Sequence, residues 1–507
     1  MTSTNNKRIA KNTLMLYFRQ ILIMLVSLYT VRVVLNTLGA EDYGIYNVVA
    51  GIVAMFSFLS GAMATASQRF FAFELGKGNF DKLKKTFAVT LCIYLLLIIL
   101  IVFLAETIGL WFISNKLVVP IERLIAAKWI YQFSLLSFAI TLITTPYMAS
   151  IIAHENMKVY AYVSIVEVGL KLAIVFLLQI LPADKLIVYG ILIFVVSFIN
   201  TALYRFYCKK HYKECVFKPE WDKGMFGEII GFTGWSLFGT FTTVIKTQAV
   251  TIMINQFFNP VVVAARVISN QVTSVLTVFS SNFNTSLYSP IVKEYAAGRK
   301  DKMYSLIYGG CKMTFFLMWV FALPLYLHMD FVLTLWLKKL PEYLLLFSQL
   351  SLIAVLIQSV SSPLMTAARA QGNVRLYEST LGTLQLLMFI ASWIWIKYFN
   401  GQAVVVFYTE IALNLVMFLT RLLIVKKMVG LSLIQYLSKV IVPAFFIMVF
   451  SAVPSVALFM EMPRTFFFRI INCAVCFCLS SILMFFFGLS KDIRMKILNR
   501  IRKKICS

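Results

Sequence analysis

Long apolar runs alternate with short polar connections along the whole chain. A helix needs about 20 predominantly apolar residues to cross a bilayer. The pattern therefore predicts an all-α integral membrane protein with about fourteen transmembrane helices. The first run lacks the short apolar core and small-residue cleavage site of a signal peptide, so we expect it to be the first permanent span. The fourteen runs lie at approximately 13–38, 43–72, 86–113, 123–152, 158–181, 185–208, 229–257, 260–290, 303–330, 343–368, 374–399, 402–425, 437–460 and 465–488.

The basic residues between the runs predict the orientation of the chain. If successive connections lie on opposite sides, 31 of the 47 Lys and Arg residues fall on the side of both termini, and seven fall on the other side. Cytoplasmic connections carry such an excess, which predicts that both termini are cytoplasmic. The net charge of +26 is then explained by orientation and by contact of the tail with anionic membrane lipid. We expect no nucleic acid partner.

Two pairs of segments repeat at nearly the same offset. "FELGKGNFDK" at 73–82 and "KEYAAGRKDK" at 293–302 share Glu, Gly, Asp and Lys at equal spacing, 220 residues apart. "TPYMASIIAHENMKVY" at 145–160 matches "SPLMTAARAQGNVRLY" at 362–377, with an offset of 217 residues. Both pairs lie at corresponding connections, so the repeat unit is six spans. Because six is an even number, the two halves are predicted to be parallel.

The repeat predicts two parallel six-helix lobes, followed by two helices outside the repeat. Parallel lobes around a central site suit transport by alternating access, in which one lobe rocks against the other. A duplicated scaffold without transport is the alternative interpretation. The expected parts are an N-terminal lobe at 1–208, a cytoplasmic linker at 209–228, a second lobe at 229–428, transmembrane helices 13 and 14 at 429–488, and a basic cytoplasmic tail at 489–507.

Charged residues inside the spans are the candidates for a binding site. A charge near the bilayer centre costs about 2.5–3.5 kcal/mol on insertion scales, so such residues usually face protein or a water-filled cavity. Nine basic residues lie within spans, and Lys128 and Arg469 are close enough to a span end to reach the surface. Such an excess of cations suits an anion, and arginine matches phosphate oxygens with a bidentate fork. The candidate cavity cations are Arg19, Arg32, Arg69, Lys171, Lys246, Arg266 and Lys312.

Two further groups of residues leave alternatives open. Glu167 and Lys171 share a helix face, where they either neutralise each other or form a proton- or ion-coupled switch beside the substrate. Glu410 is the second candidate for proton or ion coupling. Amides in spans often form ordinary interhelical hydrogen bonds, but they also suit sugar hydroxyls. The polar run at 266–286 supplies the sugar-contact candidates Asn270, Gln271 and Asn282.

The sequence has no pattern typical of a metal, cofactor or nucleotide site. Its eight cysteines and three histidines lack the paired spacing of a metal site, and no disulfide is implied. The absence of a Gly-rich phosphate-binding loop excludes ATP hydrolysis by this chain. We therefore expect no metal, no cofactor and no catalytic residue. A gradient of H+ or Na+, or consumption of the product, would supply the energy for transport.

Three longer segments resemble a known family. They are "YFRQILIMLVSLYTVRVVLNTLGAEDYGIYNVVAGIV" at 17–53, "QRFFAFELGKGN" at 68–79 and "VLTLWLKKLPEY" at 332–343. These segments are similar to bacterial polysaccharide-transport proteins, the O-antigen flippases often called Wzx-type. That family belongs to the multidrug/oligosaccharidyl-lipid/polysaccharide (MOP) exporter superfamily, which has a MATE-like fold. The resemblance covers almost the whole chain.

The resemblance implies a function and a location. Such flippases move undecaprenyl-pyrophosphate-linked oligosaccharide from the cytoplasmic to the outer leaflet of the bacterial inner membrane. The product feeds O-antigen, capsule or exopolysaccharide synthesis, with polysaccharide polymerase machinery as a further expected partner. In such flippases, basic residues of the first lobe hold the anionic head group. In the related lipid II flippases, helices 13 and 14 form a groove for the lipid tail. The residues in suitable spans are Arg19, Arg32, Arg69 and Lys171.

Two other classes of protein remain as alternatives. A MATE-like cation-coupled multidrug exporter would need acidic or aromatic groups to attract cations, whereas here nine basic residues face three acids within the spans, Glu106, Glu167 and Glu410. A membrane polysaccharide polymerase or ligase would need a large outer loop with catalytic residues, and no connection is long enough for one. The flippase, which is not an enzyme, is the leading prediction.

Overall fold

The computed structural model confirms an all-α membrane protein. It describes residues 3–54, 56–111, 120–180, 184–216, 222–258, 260–337, 340–399, 401–463, 465–488 and 494–495. These residues form helices, turns and short connections, without a strand among them. The chain makes two compact units, one of Met1–Leu237 with Val292–Arg299 and the other of Phe238–Ile291 with Lys300–Ser507. The predicted division into six-helix lobes, linker and C-terminal helices stays a prediction.

Six helices form most of the first unit. Their apolar faces pack α1 on α5, and α4 on both α2 and α6. One buried cluster joins Val34 of α1 to Val175 of α5 and Tyr189 of α6, and a second cluster joins Leu16 to Met157. Helices α1 to α6 occupy Ser3–Ala54, Ser57–Lys77, Phe80–Leu104, Leu124–Ala153, Met157–Ile180 and Lys185–His211.

The first helix runs through residues 39–42, where the sequence predicted the boundary between the first two spans. It continues to Ala54, and the chain turns only at Phe56, whose N–H donates to the Val53 carbonyl. The polar residue at the expected break, Asp42, is buried and lies 2.7 Å from the Arg123 guanidinium. Because this ion pair neutralises Asp42, the carboxylate does not need a solvated loop, and the backbone stays helical.

The second unit contains most of the remaining helices, since α7 begins and α8 ends in the first unit. One of its buried clusters includes Met253, Met318, Leu344 and the stacked rings of Phe347 and Phe407, whose centroids are 4.3 Å apart. Helices α7 to α17 occupy Lys223–Phe257, Pro260–Ala296, Lys300–Leu327, Met329–Leu337, Leu344–Val360, Ser362–Gln371, Arg375–Phe399, Val405–Val429, Leu433–Tyr436, Val442–Glu461 and Phe466–Leu483.

The two helices outside the sequence repeat, α16 and α17, pack on α9 and on each other. Trp319 of α9 donates a hydrogen bond to the Ser451 hydroxyl of α16 at 2.8 Å. His328, just after α9, lies 3.0 Å from the Asn472 side-chain oxygen of α17. Phe316 and Ile447 add apolar contact. Small and polar residues at this seam allow close packing and interhelical hydrogen bonds, which drive helix association in membranes.

Length and hydropathy support a multi-pass membrane protein. Ten helices of the described residues are long and apolar enough to cross a membrane. The pair α11 and α12 qualifies as an eleventh span that bends by 41° at Ser361. Pro363 stands in the first turn of α12 and lacks the N–H needed to continue α11. Its repeat partner Pro146 lies inside the continuous helix α4.

The first repeated motif folds into the same helix end twice. Gly78 follows α2 with a φ of 71°, and Gly298 lies just beyond α8 with a φ of 72°. In each case the N–H of the next residue donates to the backbone oxygen of the motif glutamate, at 3.2 Å for Glu74 and 3.0 Å for Glu294. Glycine adopts this left-handed conformation without the steric cost of a Cβ atom.

The second repeated motif also requires a left-handed residue, but only one copy uses glycine. Gly372 has a φ of 96°, and its partner in the first half, Glu155, has a φ of 62°. The buried Glu155 carboxylate lies 2.7 Å from the guanidinium of Arg8 and 2.9 Å from the ammonium of Lys293. Lys293 belongs to the end of α8 that is part of the first unit. A residue with a side chain in this conformation costs about 1–2 kcal/mol, and the two ion pairs fix the position of the Glu155 carboxylate.

Replacing the glycine after α8 tests this helix end. A Cβ atom at Gly298 would meet no other atom within 4 Å, so Gly298→Ala changes only the backbone preference. We expect a loss of about 1 kcal/mol in unfolding free energy, seen as a lower midpoint of thermal unfolding in detergent. Gly231→Ala, in the exposed interior of α7, is the control and should keep or raise the midpoint. Equal midpoints for the two variants would contradict the assignment.

Candidate functional site

A line of polar side chains crosses the first unit on α1, α5 and α6. The Lys171 ammonium donates to Glu167 at 2.6 Å, and the Asn200 amide donates to the other Glu167 oxygen at 3.0 Å. The Arg19 guanidinium lies 4.5 Å from the centre of the Tyr160 ring. Arg19 Nε and Nη1 are buried and have no hydrogen-bond partner among the described residues. Lys171 is therefore neutralised locally, whereas Arg19 keeps donors available.

Arg69 is held by aromatic rings. Its guanidinium lies 4.6 Å from the centre of the Phe70 ring, 4.7 Å from Phe73 and 5.8 Å from Phe232. The residue is only 6% exposed. Cation–π contacts of this kind contribute about 2 kcal/mol or more when desolvated, which reduces the cost of burying the charge. The cage gives Arg69 a packing role as well as a positive charge.

In the second unit, one carboxylate serves two cations. The Lys246 ammonium donates to Glu410 at 2.9 Å, which joins α7 to α14. Arg266 of α8 is 3% exposed, interacts electrostatically with Glu410 and lies 5.4 Å from the centre of the Phe407 ring. Its Nε and Nη1 atoms have no hydrogen-bond partner in the described part of the chain. This cluster, Lys246, Arg266 and Glu410, carries a net charge of about +1 if all three are ionised.

The other candidates vary in exposure. Lys312 is half-buried on α9. The proposed sugar contacts lie along α8, where Gln271 is exposed, Asn270 is half-buried and Asn282 is buried. The Asn282 amide nitrogen lacks a hydrogen-bond partner in the part of the chain that the structure describes. The side chain of Arg32 lies outside the described residues, and its assignment stays a prediction.

Several charged contacts escaped the sequence analysis. The half-buried Arg369 and the buried Glu378 form an ion pair at 2.9 Å between α12 and α13. Arg123, counted only as an outer basic residue, bridges Asp42 and Asp184 at 2.7 Å each. Both ends of the Arg123 bridge lie far away in the sequence, so no local spacing could reveal it. The nine-residue separation of Arg369 and Glu378 crosses a turn and matches no helical spacing.

Polar contacts also organise the predicted cytoplasmic end of the first unit. His154 lies 2.6 Å from Glu214, and its ring stacks on Tyr212 with centroids 4.1 Å apart. Burial alone would raise the pKa of the Glu214 carboxyl. The hydrogen bond and charge of His154, a backbone hydrogen bond and the charge of Lys84 together outweigh burial, and the pKa lies below the usual value. The described residues contain no group of three or more His, Cys, Asp or Glu that could hold a metal ion.

The fold is similar to that of MATE transporters of known structure. A MATE structure in complex with MaD3S gives a TM-score of 0.72 at 13% identity and covers 84% of this chain and 97% of that one. An outward-facing multidrug resistance MATE transporter of the MOP superfamily gives 0.72 at 12% identity, covering 84% and 96%. A MOP superfamily transporter from Pyrococcus furiosus, described by a binding pocket of reverse polarity that suggests a different function, gives 0.69 at 12% identity, covering 84% and 97%.

The family follows from the sequence comparison. Residues 9–295, more than half of the chain, match the family model described as polysaccharide biosynthesis protein. No curated protein matches the chain significantly. The chain therefore belongs to the polysaccharide biosynthesis protein family, and its fold is that of MOP superfamily transporters. The resemblance inferred from the sequence is confirmed.

Removing Glu410 tests the shared carboxylate. Glu410→Gln leaves Lys246 and Arg266 without their negative partner, whereas Lys246→Met leaves Glu410 to neutralise Arg266. We expect Glu410→Gln to cost about 3 kcal/mol of unfolding free energy and Lys246→Met to cost less. Thermal unfolding in lipid nanodiscs measures both, with the exposed Glu228→Gln as the control for the same chemical change. A larger loss from Lys246→Met would contradict the shared carboxylate.

Proposed function

We propose that this protein is a flippase for lipid-linked oligosaccharide. It moves undecaprenyl-pyrophosphate-linked repeat units from the cytoplasmic to the outer leaflet of the bacterial inner membrane by alternating access. The products enter O-antigen, capsule or exopolysaccharide synthesis, with the polysaccharide polymerase machinery acting next. The family assignment supports a role in polysaccharide biosynthesis, and the MATE-type fold supports transport.

The buried guanidinium groups with available donors carry the proposal. Arg266 and Arg19 each keep Nε and Nη1 without a partner among the described residues. A buried N–H that lacks an acceptor costs about 1–3 kcal/mol, and more when the group is charged. A pyrophosphate supplies anionic oxygens that accept two parallel N–H bonds from such a fork. An anionic head group would therefore satisfy donors that the described residues leave open.

The balance of charge favours this cargo over a cationic drug. Glu167 is neutralised by Lys171, and Glu410 is neutralised by Lys246. These ion pairs leave neither cluster with a net negative charge for a cationic drug, while Arg19 and Arg266 add positive charge. The Pyrococcus furiosus transporter, described by a binding pocket of reverse polarity, provides a precedent for a change of pocket charge on this fold. The multidrug exporter is therefore the weaker alternative.

Arg266 is the residue to change first. We expect Arg266→Ala to lower outward movement of lipid-linked oligosaccharide about tenfold or more, because charge-assisted hydrogen bonds contribute about 1.5–3 kcal/mol each. Arg266→Lys keeps the charge but loses the fork, and it should retain intermediate activity. The measurement is the leaflet accessibility of the labelled lipid-linked oligosaccharide in cells deleted for the gene and complemented with each variant at equal protein level.

Lys128→Ala provides the matched control for loss of one positive charge, since Lys128 is exposed near the end of a span. It should complement as well as the wild type, and Arg19→Ala should fall below it. Full complementation by Arg266→Ala and Arg19→Ala together would contradict the assignment of these residues. If deletion of the gene itself leaves accessibility unchanged, the proposed cargo is wrong, and uptake of cationic drugs becomes the next measurement.

The two half-buried acids, Glu167 and Glu410, test ion coupling. We propose that Glu167 and Glu410 link transport to a gradient of H+ or Na+, because each is the single carboxylate within a cluster of polar and basic residues. Glu167→Gln combined with Glu410→Gln should then abolish the dependence of flipping on an imposed pH or sodium gradient. Unchanged gradient dependence in folded double variants would exclude both residues as coupling groups, and transport without any gradient dependence would favour mass action.

A further inference from the structure

One end of the second unit contains a cavity of mixed polar and apolar lining that the cation clusters do not use. Its volume is about 350 Å³, and it lies where the end of α9, α10 and the start of α11 meet α16 and α17. Asp330, Gln349 and Arg469 supply polar groups to its wall, and Tyr326 and Phe459 supply aromatic rings. The positive-inside pattern predicts that this end faces away from the cytoplasm.

The charges in this cavity neutralise each other. Arg469 Nη1 donates to Asp330 Oδ2 at 2.9 Å, and the guanidinium lies 5.3 Å from the centre of the Phe331 ring. Arg469 was expected from the sequence to extend to the membrane surface, but its side chain is 19% exposed and ties α17 to α10. A neutral pair does not favour an anion over other ligands, which separates this cavity from the basic clusters described above.

The cavity offers both hydrogen-bond donors and hydrogen-bond acceptors. A guanidinium has five N–H donors, and the contact with Asp330 uses one of them. The Gln349 amide N–H donates to the Tyr326 carbonyl at 3.3 Å, which leaves its side-chain oxygen as an acceptor. Sugar hydroxyls donate and accept at once, so they match mixed groups at short spacing. The Phe459 ring offers an apolar surface for the C–H face of a pyranose.

A smaller space, lined by both apolar and polar residues, extends the same wall. It measures about 10 Å³, shares Phe459 and Arg469 with the larger cavity, and is also lined by His328 and Asn472. A volume near 10–15 Å³ is the least that can hold one water molecule. His328 Nδ1 is buried and has no hydrogen-bond partner in the described ranges, while Nε2 contacts the Asn472 oxygen. A water or a hydroxyl group here would satisfy this acceptor.

The volume of the cavity limits the size of the ligand. Small-molecule pockets usually measure about 300–1,000 Å³, so this cavity fits one or two sugar rings and not a whole repeat unit. Its position is informative too, because Phe459 and Arg469 belong to the two helices that the six-span repeat does not explain. Building this wall gives α16 and α17 a role besides contact with lipid.

We propose that this cavity is a saccharide-binding site, built by the C-terminal helices, that receives sugar residues of the cargo on the outer side of the membrane. The proposal rests on the proposed flippase function for the source of the sugar, but the site itself is defined by its own chemistry. Asp330, Gln349 and Arg469 bind hydroxyls, and Phe459 packs against the ring. The ligand class is a neutral mono- or disaccharide unit.

Binding of small glycosides to the full-length protein in lipid nanodiscs tests the site. The probes are the methyl glycosides of glucose, galactose, rhamnose and N-acetylglucosamine, with glycerol phosphate as the anionic comparison, measured by saturation-transfer NMR titration. We expect saturable binding of at least one glycoside. Gln349→Ala should weaken it about fivefold, as expected for one lost hydrogen bond. Gln435→Ala, the same change at an exposed residue of α15, should bind like the wild type.

Asp330→Asn tests whether the neutral Arg469–Asp330 pair determines which ligand binds. Without the carboxylate the Arg469 charge is unneutralised, so glycoside binding should fall and glycerol phosphate binding should rise. The proposal is overturned if no glycoside saturates, if Gln349→Ala and Gln435→Ala behave alike, or if glycerol phosphate binds more tightly than every glycoside to the wild type. Binding in detergent that disappears in nanodiscs would identify a lipid-occupied groove and also overturn it.

These outcomes are separable from failure of the flippase proposal. The titration measures equilibrium binding and needs no transport, so loss of the site leaves the leaflet experiment on Arg266 unaffected. A normal glycoside site in a protein that does not change leaflet accessibility would instead contradict the flippase and retain the saccharide site.

Discussion

The cost of an ionised group inside a membrane constrains almost every polar contact in this protein. Lipid cannot solvate such a group, so a neighbour must do so, and the chain uses two kinds of neighbour, carboxylates and aromatic rings. Glu167 and Glu410 neutralise lysines, phenylalanine rings surround Arg69, and Tyr160 and Phe407 cover Arg19 and Arg266. The rings reduce the cost of the positive charge without accepting hydrogen bonds, which keeps guanidinium donors open for an anionic ligand.

The same constraint acts where helices end and meet. Left-handed residues after helices satisfy backbone groups without a side chain, as at Gly78 and Gly298. At the seam between α9 and the two C-terminal helices, Ser451 pairs with Trp319 and Asn472 pairs with His328. The placement of polar residues and the packing of helices are therefore coupled in this molecule, because a polar residue on one helix needs a hydrogen-bond partner on a neighbouring helix.

The sequence predicted the features that depend on local spacing. The apolar runs predicted the membrane fold, and the repeated segments marked corresponding connections. The four-residue spacing of Glu167 and Lys171 correctly placed them on one face. Partners from distant parts of the chain could not be predicted. Lys246 and Glu410 are 164 residues apart, and Arg469 and Asp330 are 139 residues apart. Which residues meet depends on how helices pack, and hydropathy contains no information about that.

The glutamate at position 155 has a consequence for how the two halves of the chain can vary. Gly372, its repeat partner, depends on no other residue for its backbone conformation. The second copy of the motif can therefore change independently of its surroundings. The Glu155 carboxylate depends on ion pairs with Arg8 and Lys293. These three residues come from three separate regions of the chain. These three positions should be inherited as a set among relatives. A chimera that joins the first half of one member to the second half of another would separate them.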